Sequence, residues 1–268
     1  MVFVHNINPV LFDFTLFGLH LEIRYYGLFF VISFIITYYL IKYLVKQRTL
    51  ELTDSDVSDL VLYILIGVVL GARVFYIVFY NLPFYVKNPL EIFAVWHGGL
   101  SFHGGLVGAI IAGWFFCRKK KISFYKLADI AVIPASVGLA LGRIGNFING
   151  ELYGRLTNVP WAVKFPLTEG YRHPSQIYES MKNVVIFIAL WTIKDRKLKE
   201  RKLPDGFLFW TFITMYGALR FAIEFVREPD PQLGFIIANF TMGQLLVFPM
   251  FIIGAYMLYM LKKNDKKD

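Results

Sequence analysis

Apolar residues gather in seven stretches, near 24–44, 58–80, 98–117, 127–145, 175–194, 206–226 and 239–261, with polar residues between them. Each stretch approaches the roughly 20 residues that a helix needs to cross the hydrocarbon of a bilayer. The pattern therefore predicts an all-α polytopic membrane protein with seven transmembrane helices. Residues 146–174 interrupt it. That interval is rich in Gly, Pro, Asn and Thr, and Val159-Pro-Trp-Ala-Val-Lys-Phe-Pro166 reads as strand and turn rather than a further span. The chain 1–268 is expected to be a single integral membrane domain, with 146–174 as a small cap inserted between spans four and five.

Basic residues orient these spans. Lys42, Lys46 and Arg48, the run Arg118–Lys121 with Lys126, the cluster from Lys194 to Lys202, and Lys262 to Lys267 fall in alternate connections. Short loops retained in the cytoplasm carry this excess of Lys and Arg. The N-terminus is thus expected outside, the C-terminus in the cytoplasm, and the cap on the extracytoplasmic side. The other face receives the longer connections, near 1–20, 81–97, 146–174 and 227–238, and His5, His20, His97, His103 and His173 all fall on or near it. Acid–base chemistry is expected there, although a chance distribution would give the same pattern. No basic region precedes the first span, which argues against a cleaved signal peptide and assigns the N-terminus to the mature protein.

Composition agrees with the pattern. With 57% hydrophobic residues, 18% charged residues and a mean hydropathy of +0.54, the chain is more apolar than soluble domains, which hold roughly 45–50% apolar residues. A net charge of +9 raises the question of nucleic acid. That partner is excluded because the positive charge lies in short inter-span runs rather than on one folded face. The lone cysteine, Cys117, beside the basic run, permits no intrachain disulfide and no thiolate cluster. No HExxH or comparable ligand spacing is present, so neither a metal nor another cofactor is expected.

Polar residues inside the apolar stretches mark candidate chemistry, because a charge in hydrocarbon costs at least about 2.5 kcal/mol. The fourth span ends in Gly142-Arg143-Ile144-Gly145-Asn146-Phe147-Ile148-Asn149-Gly150-Glu151-Leu152-Tyr153-Gly154, where Arg143, Asn146 and Glu151 sit at or just inside the boundary. Its glycines remove the side chains that would hold a ligand or a second backbone away. The sixth span carries Tyr216, Arg220 and Glu224, with Arg227 following, all within about 80° on one helix face. The plain alternative is an Arg220–Glu224 pair within the helix, but its few tenths of a kcal/mol would not offset two charges near hydrocarbon. His103 lies among Gly98, Gly99, Gly104 and Gly105, where a proton-handling imidazole competes with a purely structural one. Gly67 with Gly71, Gly104 with Gly108, and Gly138 with Gly142 form GxxxG pairs that read as close helix packing. Arg73 would neutralise a carboxylate or reach a phosphate, and Tyr25 and Tyr26 fit an aromatic interfacial belt. Arginines from separate spans beside Asn146 and a histidine make an anion site, since the guanidinium fork matches phosphate oxygens and stays charged in apolar surroundings.

These segments resemble those of the bacterial prolipoprotein diacylglyceryl transferases. Gly142–Gly154 is similar to the family's signature segment, Ser101-Phe-His-Gly-Gly-Leu106 to its histidine segment, His173-Pro-Ser-Gln-Ile-Tyr-Glu179 to its post-cap segment, and Arg220-Phe-Ala-Ile-Glu-Phe-Val-Arg227 to its late arginine segment. The resemblance implies transfer of the diacylglyceryl group from phosphatidylglycerol to the lipobox cysteine of a prolipoprotein. A thioether forms and glycerol phosphate leaves. It implies an enzyme of the bacterial cytoplasmic (inner) membrane whose active site faces the extracytoplasmic side, and whose partners are phosphatidylglycerol, the prolipoprotein lipobox and the lipid bilayer. Carried over by position, the functional residues are Tyr26, His103, Arg143, Asn146, Glu151, Gly154, Tyr216, Arg220, Glu224 and Arg227. His103, Arg143 and Arg220 are expected to be catalytic. Arg143 with Asn146, Tyr26, Glu151, Gly154, Tyr216, Glu224 and Arg227 is expected to bind substrate, with Glu151 and Glu224 orienting the arginines. A lipid or anion transporter, its buried arginines lining a pathway, is the competing reading. It predicts polar residues continuing into the cytoplasmic half of the spans.

Overall fold

The computed structural model describes residues 3–16, 19–47, 50–94, 98–198, 201–229, 235–237 and 240–264. His97, Arg48, Lys199, Lys266 and Lys267, which figure in the expectations above, lie outside the described residues. In chain order the elements are β1 (Phe3–Val4), β2 (Val10–Leu16), β3 (Leu19–Arg24), α1 (Tyr25–Gln47), α2 (Asp54–Tyr80), α3 (Leu82–Lys87), a 3-10 turn (Pro89–Ile92), α4 (Phe102–Lys120) and α5 (Phe124–Ile148). They continue with β4 (Val163–Lys164), α6 (Ser175–Ile193), β5 (Lys197–Leu198), β6 (Arg201–Lys202), α7 (Phe207–Glu224), β7 (Phe235–Ile237), β8 (Phe240–Thr241) and α8 (Met242–Asn264). Helices overlie each of the apolar stretches read from the sequence. Among the described residues four, α1, α2, α5 and α8, are long and apolar enough to cross a membrane. The outer faces of α1 and α2 are apolar: Ile35, Tyr39, Leu70, Val74 and Phe79 are all more than half exposed. Lipid rather than water suits such faces, and the chain is a multi-pass membrane protein.

The chain forms two compact units, Met1–Thr37 with Ala128–Asp268, and Tyr38–Leu127. In the second, α2 begins at a capping box. Thr53 Oγ1 accepts from the Asp56 amide at 3.2 Å, and Asp56 Oδ2 accepts from the Thr53 amide at 2.9 Å, which satisfies two donors of the open helix end. α4 starts at Ser101, whose Oγ accepts from the Gly104 amide, and stops at Lys121, whose φ of 55° closes the last turn. These two helices meet through the glycines: a Cβ on Gly67 would lie 2.6 Å from the Gly108 carbonyl oxygen, and one on Gly71 would lie 2.9 Å from Gly108 Cα. Two of the expected GxxxG pairs thus bring backbones together. The third does not, since Gly142 faces open space.

Arg73 in this unit reaches neither a carboxylate nor an open anion site. Its guanidinium donates to the carbonyls of Ile92 at 3.0 Å, Gly98 at 2.5 Å, Gly99 at 3.1 Å, Ala94 at 3.1 Å and Glu91. The irregular chain after α3 leaves carbonyls without helical donors, and a buried guanidinium with five N–H groups meets them.

In the first unit, α5 carries Pro134, which removes one helical donor. Asp129 on α5, 1% exposed, accepts from the Gly206 amide at 3.0 Å and the Phe209 amide at 2.8 Å. It therefore caps α7 in place of a local side chain, a carboxylate at the positive end of the helix. α7 packs on α8 where a Cβ on Gly217 would lie 2.7 Å from the Phe251 amide nitrogen. α5 runs through Asn146 and Phe147 to Ile148, so the cap proper is non-helical from Asn149 to Pro174. It is held by the parallel pairing of β4 with β1 and by bridges from Leu156 and Val163 to Arg172. An unforeseen hairpin, β2 with β3, precedes α1.

Candidate active site

The end of α5 turns sharply after Ile148, with Gly150 at φ 68°, a conformation that costs glycine little. This returns Glu151 to the helix it has just left. The Glu151 amide donates to the Asn146 carbonyl at 3.1 Å, and Asn146 Nδ2 donates to Glu151 Oε1 at 2.8 Å. Asn149 Nδ2 donates to the same oxygen at 3.2 Å. The start of α6 fastens the turn, through Gln176 Nε2 to the Glu151 carbonyl at 2.6 Å and Ser175 Oγ to the Leu152 carbonyl at 2.9 Å. Arg143 lies one turn before Asn146, and its Nη1 donates to Asn146 Oδ1 at 3.4 Å. Glu151 therefore reaches Arg143 through Asn146: its carboxylate accepts from the side-chain amides of Asn146 and Asn149.

α6 and α7 supply the second half. Glu179 Oε2 lies 2.8 Å from Lys182 Nζ and 3.9 Å from Arg143 Nε, while its Oε1 lies 3.2 Å from Arg220 Nη1. Arg220 Nη1 also donates to Glu224 Oε2, and Glu224 Oε1 lies 3.7 Å from Arg227 Nη1 and accepts from Thr241 Oγ1 at 2.8 Å. The Arg220–Glu224 pair is thus made, inside a larger network. Charges from α5, α6 and α7 are linked in the order Arg143, Glu179, Arg220, Glu224, Arg227. In a medium of low dielectric such linkage is what makes burial tolerable. Arg143, with 23% of its side chain exposed against 9% for Arg220, is the more accessible arginine.

Other expected residues border this network. The Tyr26 ring rests on Gly145, where a Cβ would lie 2.8 Å from Tyr26 Cδ2, and Tyr26 is exposed. Tyr216 covers Lys182, whose ammonium stands 3.8 Å from the ring centroid, a cation–π contact that helps a buried cation. Gly154 donates from its amide to the His173 carbonyl at 2.8 Å and pairs with Arg227 across a bridge. A Cβ there would lie 2.5 Å from the Val226 carbonyl oxygen and 2.6 Å from His173 Cβ. His103 belongs to the other unit, on the first turn of α4, and is exposed. The remaining described histidines are dispersed. His5 is buried against the Phe147 carbonyl at 2.7 Å, and His20 is 3.8 Å from Glu22. His173 Nδ1 meets the Tyr178 hydroxyl at 3.1 Å, and burial lowers the His173 pKa below its ordinary value.

Glu179 and Lys182 escaped the sequence reading. The available signal was a charged i, i+3 pair inside an apolar stretch, the same reasoning that singled out Arg220.

The family model for prolipoprotein diacylglyceryl transferase matches residues 13–260. The phosphatidylglycerol–prolipoprotein diacylglyceryl transferase of Geobacter sulfurreducens is 50% identical over 266 residues, 98% of each chain. The protein of that name from Desulfotalea psychrophila is 46% identical over 237 residues, 87% of each chain. That from Rickettsia rickettsii is 41% identical over 257 residues, 94% of this chain and 96% of the relative. With a family model covering most of its length and relatives of this identity along nearly the whole chain, this protein belongs to the prolipoprotein diacylglyceryl transferase family.

Proposed function

We propose that the chain transfers the diacylglyceryl group of phosphatidylglycerol to the thiol of a prolipoprotein lipobox cysteine, the first step of lipoprotein modification. The observation that carries the assignment of the site is the Arg143–Asn146–Glu151 chain: Glu151 holds Asn146, and Asn146 holds Arg143, an arginine that keeps donors for a ligand. Four cations, Arg143, Lys182, Arg220 and Arg227, stand with three carboxylates, Glu151, Glu179 and Glu224. The one positive charge in excess among these seven groups matches the single negative charge of a phosphodiester.

In this reading Arg143 binds the lipid phosphate, Asn146 and Tyr26 hydrogen-bond the headgroup, and Arg220, fixed by Glu224 beside Arg227, stabilises the leaving phosphate electrostatically. Tyr216 shields the network from lipid, and Gly154 keeps the cap close to the end of α7. The thiolate sulfur attacks the glyceryl carbon that bears the phosphate. The carbon–sulfur bond forms as the carbon–oxygen bond breaks, and the departing oxygen keeps the electron pair as glycerol phosphate. Free cysteine is mostly protonated at neutral pH, so a base must take the thiol proton, and that role is assigned to the His103 imidazole. The distribution of Lys and Arg supports seven spans with the N-terminus outside, the C-terminus in the cytoplasm, and cap and site on the extracytoplasmic side of the inner membrane.

The test is initial transfer of labelled diacylglyceryl from phosphatidylglycerol vesicles to a lipobox peptide by the purified chain. Arg143→Ala is expected to lower the rate at least about a hundredfold, as loss of one preorganised donor to a developing charge does elsewhere. Undiminished transfer by Arg143→Ala overturns the phosphate assignment, and undiminished transfer by His103→Gln removes the base.

A further inference from the structure

Glu179 stands between the two arginines to which the proposed function assigns the phosphate. One oxygen lies 3.9 Å from Arg143 Nε and the other 3.2 Å from Arg220 Nη1. The first oxygen also accepts from Lys182 at 2.8 Å, one turn along α6. The side chains of Glu179 and Lys182 are 3% and 1% exposed, so water screens none of these contacts effectively. The second oxygen makes no aligned hydrogen bond; it acts on Arg220 as a charge, while Glu224 takes the aligned donor.

We infer that Glu179, held in place by Lys182, is a positioning residue for the transfer reaction: its carboxylate is the shared counter-charge that sets the spacing and aim of the Arg143 and Arg220 guanidiniums. Two guanidiniums repel each other, and nothing within α5 or α7 fixes the distance between them. A carboxylate on a third helix does, provided that it cannot swing toward either. Lys182 prevents the swing by holding one oxygen from its own helix, and the Tyr216 ring over the ammonium confines the lysine in turn. A plain structural pair joining α6 to α7 would need only Glu179 and Arg220. The arrangement here also includes Arg143 on α5, which is why a kinetic role follows. The inference rests on the reading of Arg143 and Arg220 as the phosphate site.

The test uses the full chain in phosphatidylglycerol vesicles with a lipobox peptide, comparing Arg143→Ala, Glu179→Gln and the double variant Glu179→Gln with Lys182→Met. The double variant removes both members of the pair and leaves no lone buried charge from it, so it is expected to fold even where the single variant does not; thermal unfolding of each purified variant checks this. The expected result in the folded double variant is a kcat at least about tenfold lower with the KM for phosphatidylglycerol within about threefold, because both phosphate-binding arginines remain and only their aim is lost. A kcat within about threefold of the parent overturns the inference, as does a loss confined to the KM for the peptide. Full activity of Arg143→Ala would instead strike down the phosphate reading itself, so the two failures are distinct.

Discussion

Asn146 Nδ2 donates to Glu151 Oε1 at 2.8 Å across a turn that reverses the chain at the end of α5. An asparagine presents both a donor and an acceptor, and here they point opposite ways, the donor to a carboxylate and the acceptor to Arg143. Aspartate cannot do this, because ionised it accepts only. Asn146→Asp is therefore expected to reduce initial transfer rates at least about tenfold, and more than Glu151→Gln, which keeps an oxygen for the Asn146 amide. A rate for Asn146→Asp equal to the parent's would show that this relay is idle.

Gly154→Ala is expected to destabilise the chain by about 1–3 kcal/mol, the usual consequence of forcing atoms into a packed site. The added methyl would meet the Val226 carbonyl oxygen and His173 Cβ, both within 2.6 Å. A lowered unfolding midpoint together with reduced transfer is the expected pair of results.

In the second unit, Gly108→Leu should separate α2 from α4, because even a Cβ would overlap the Gly67 carbonyl. The expected destabilisation is again about 1–3 kcal/mol, read from thermal unfolding in detergent. Val107→Leu, at an exposed neighbouring position on the same helix, should leave the midpoint within experimental error.

Arg73→Lys preserves charge but offers one nitrogen where five carbonyls converge. Carbonyls left buried without donors cost about 1–3 kcal/mol each. The variant should unfold at clearly lower temperature, and proteolysis should then cut within residues 91–99 first.

The pH dependence of the cap follows from His173, whose pKa burial holds below its ordinary value. The unfolded chain takes up this proton at a higher pH than the folded chain does. Stability is consequently unaffected well above pH 6.5 and falls as the pH drops below that value toward the folded pKa. His173→Gln should flatten the unfolding midpoint between about pH 5 and 7 relative to the parent. An unchanged slope would assign the titration to another group.

The chain's own pattern determined where its helices lie, because apolar stretches of about 20 residues leave few alternatives in a bilayer. It also singled out Arg143, Asn146, Glu151, Arg220, Glu224 and Arg227, since polar groups at such positions are costly enough to stand out. The β2–β3 hairpin was not legible: its alternation is short and lies beside a much stronger helical signal. Partners across helices were no more accessible, because they depend on which faces meet rather than on spacing along one helix. Arg73 looked like a charge awaiting an anion until folding brought five carbonyls to it. Glu151 looked like an arginine's counter-charge until the turn at Gly150 gave it to Asn146. Glu179 and Lys182 were not singled out from the sequence, and only the packing of α6 against α7 and the approach of Arg143 made that pair the centre of the network. A sequence states which charges must be compensated; which groups compensate them is decided by tertiary contact.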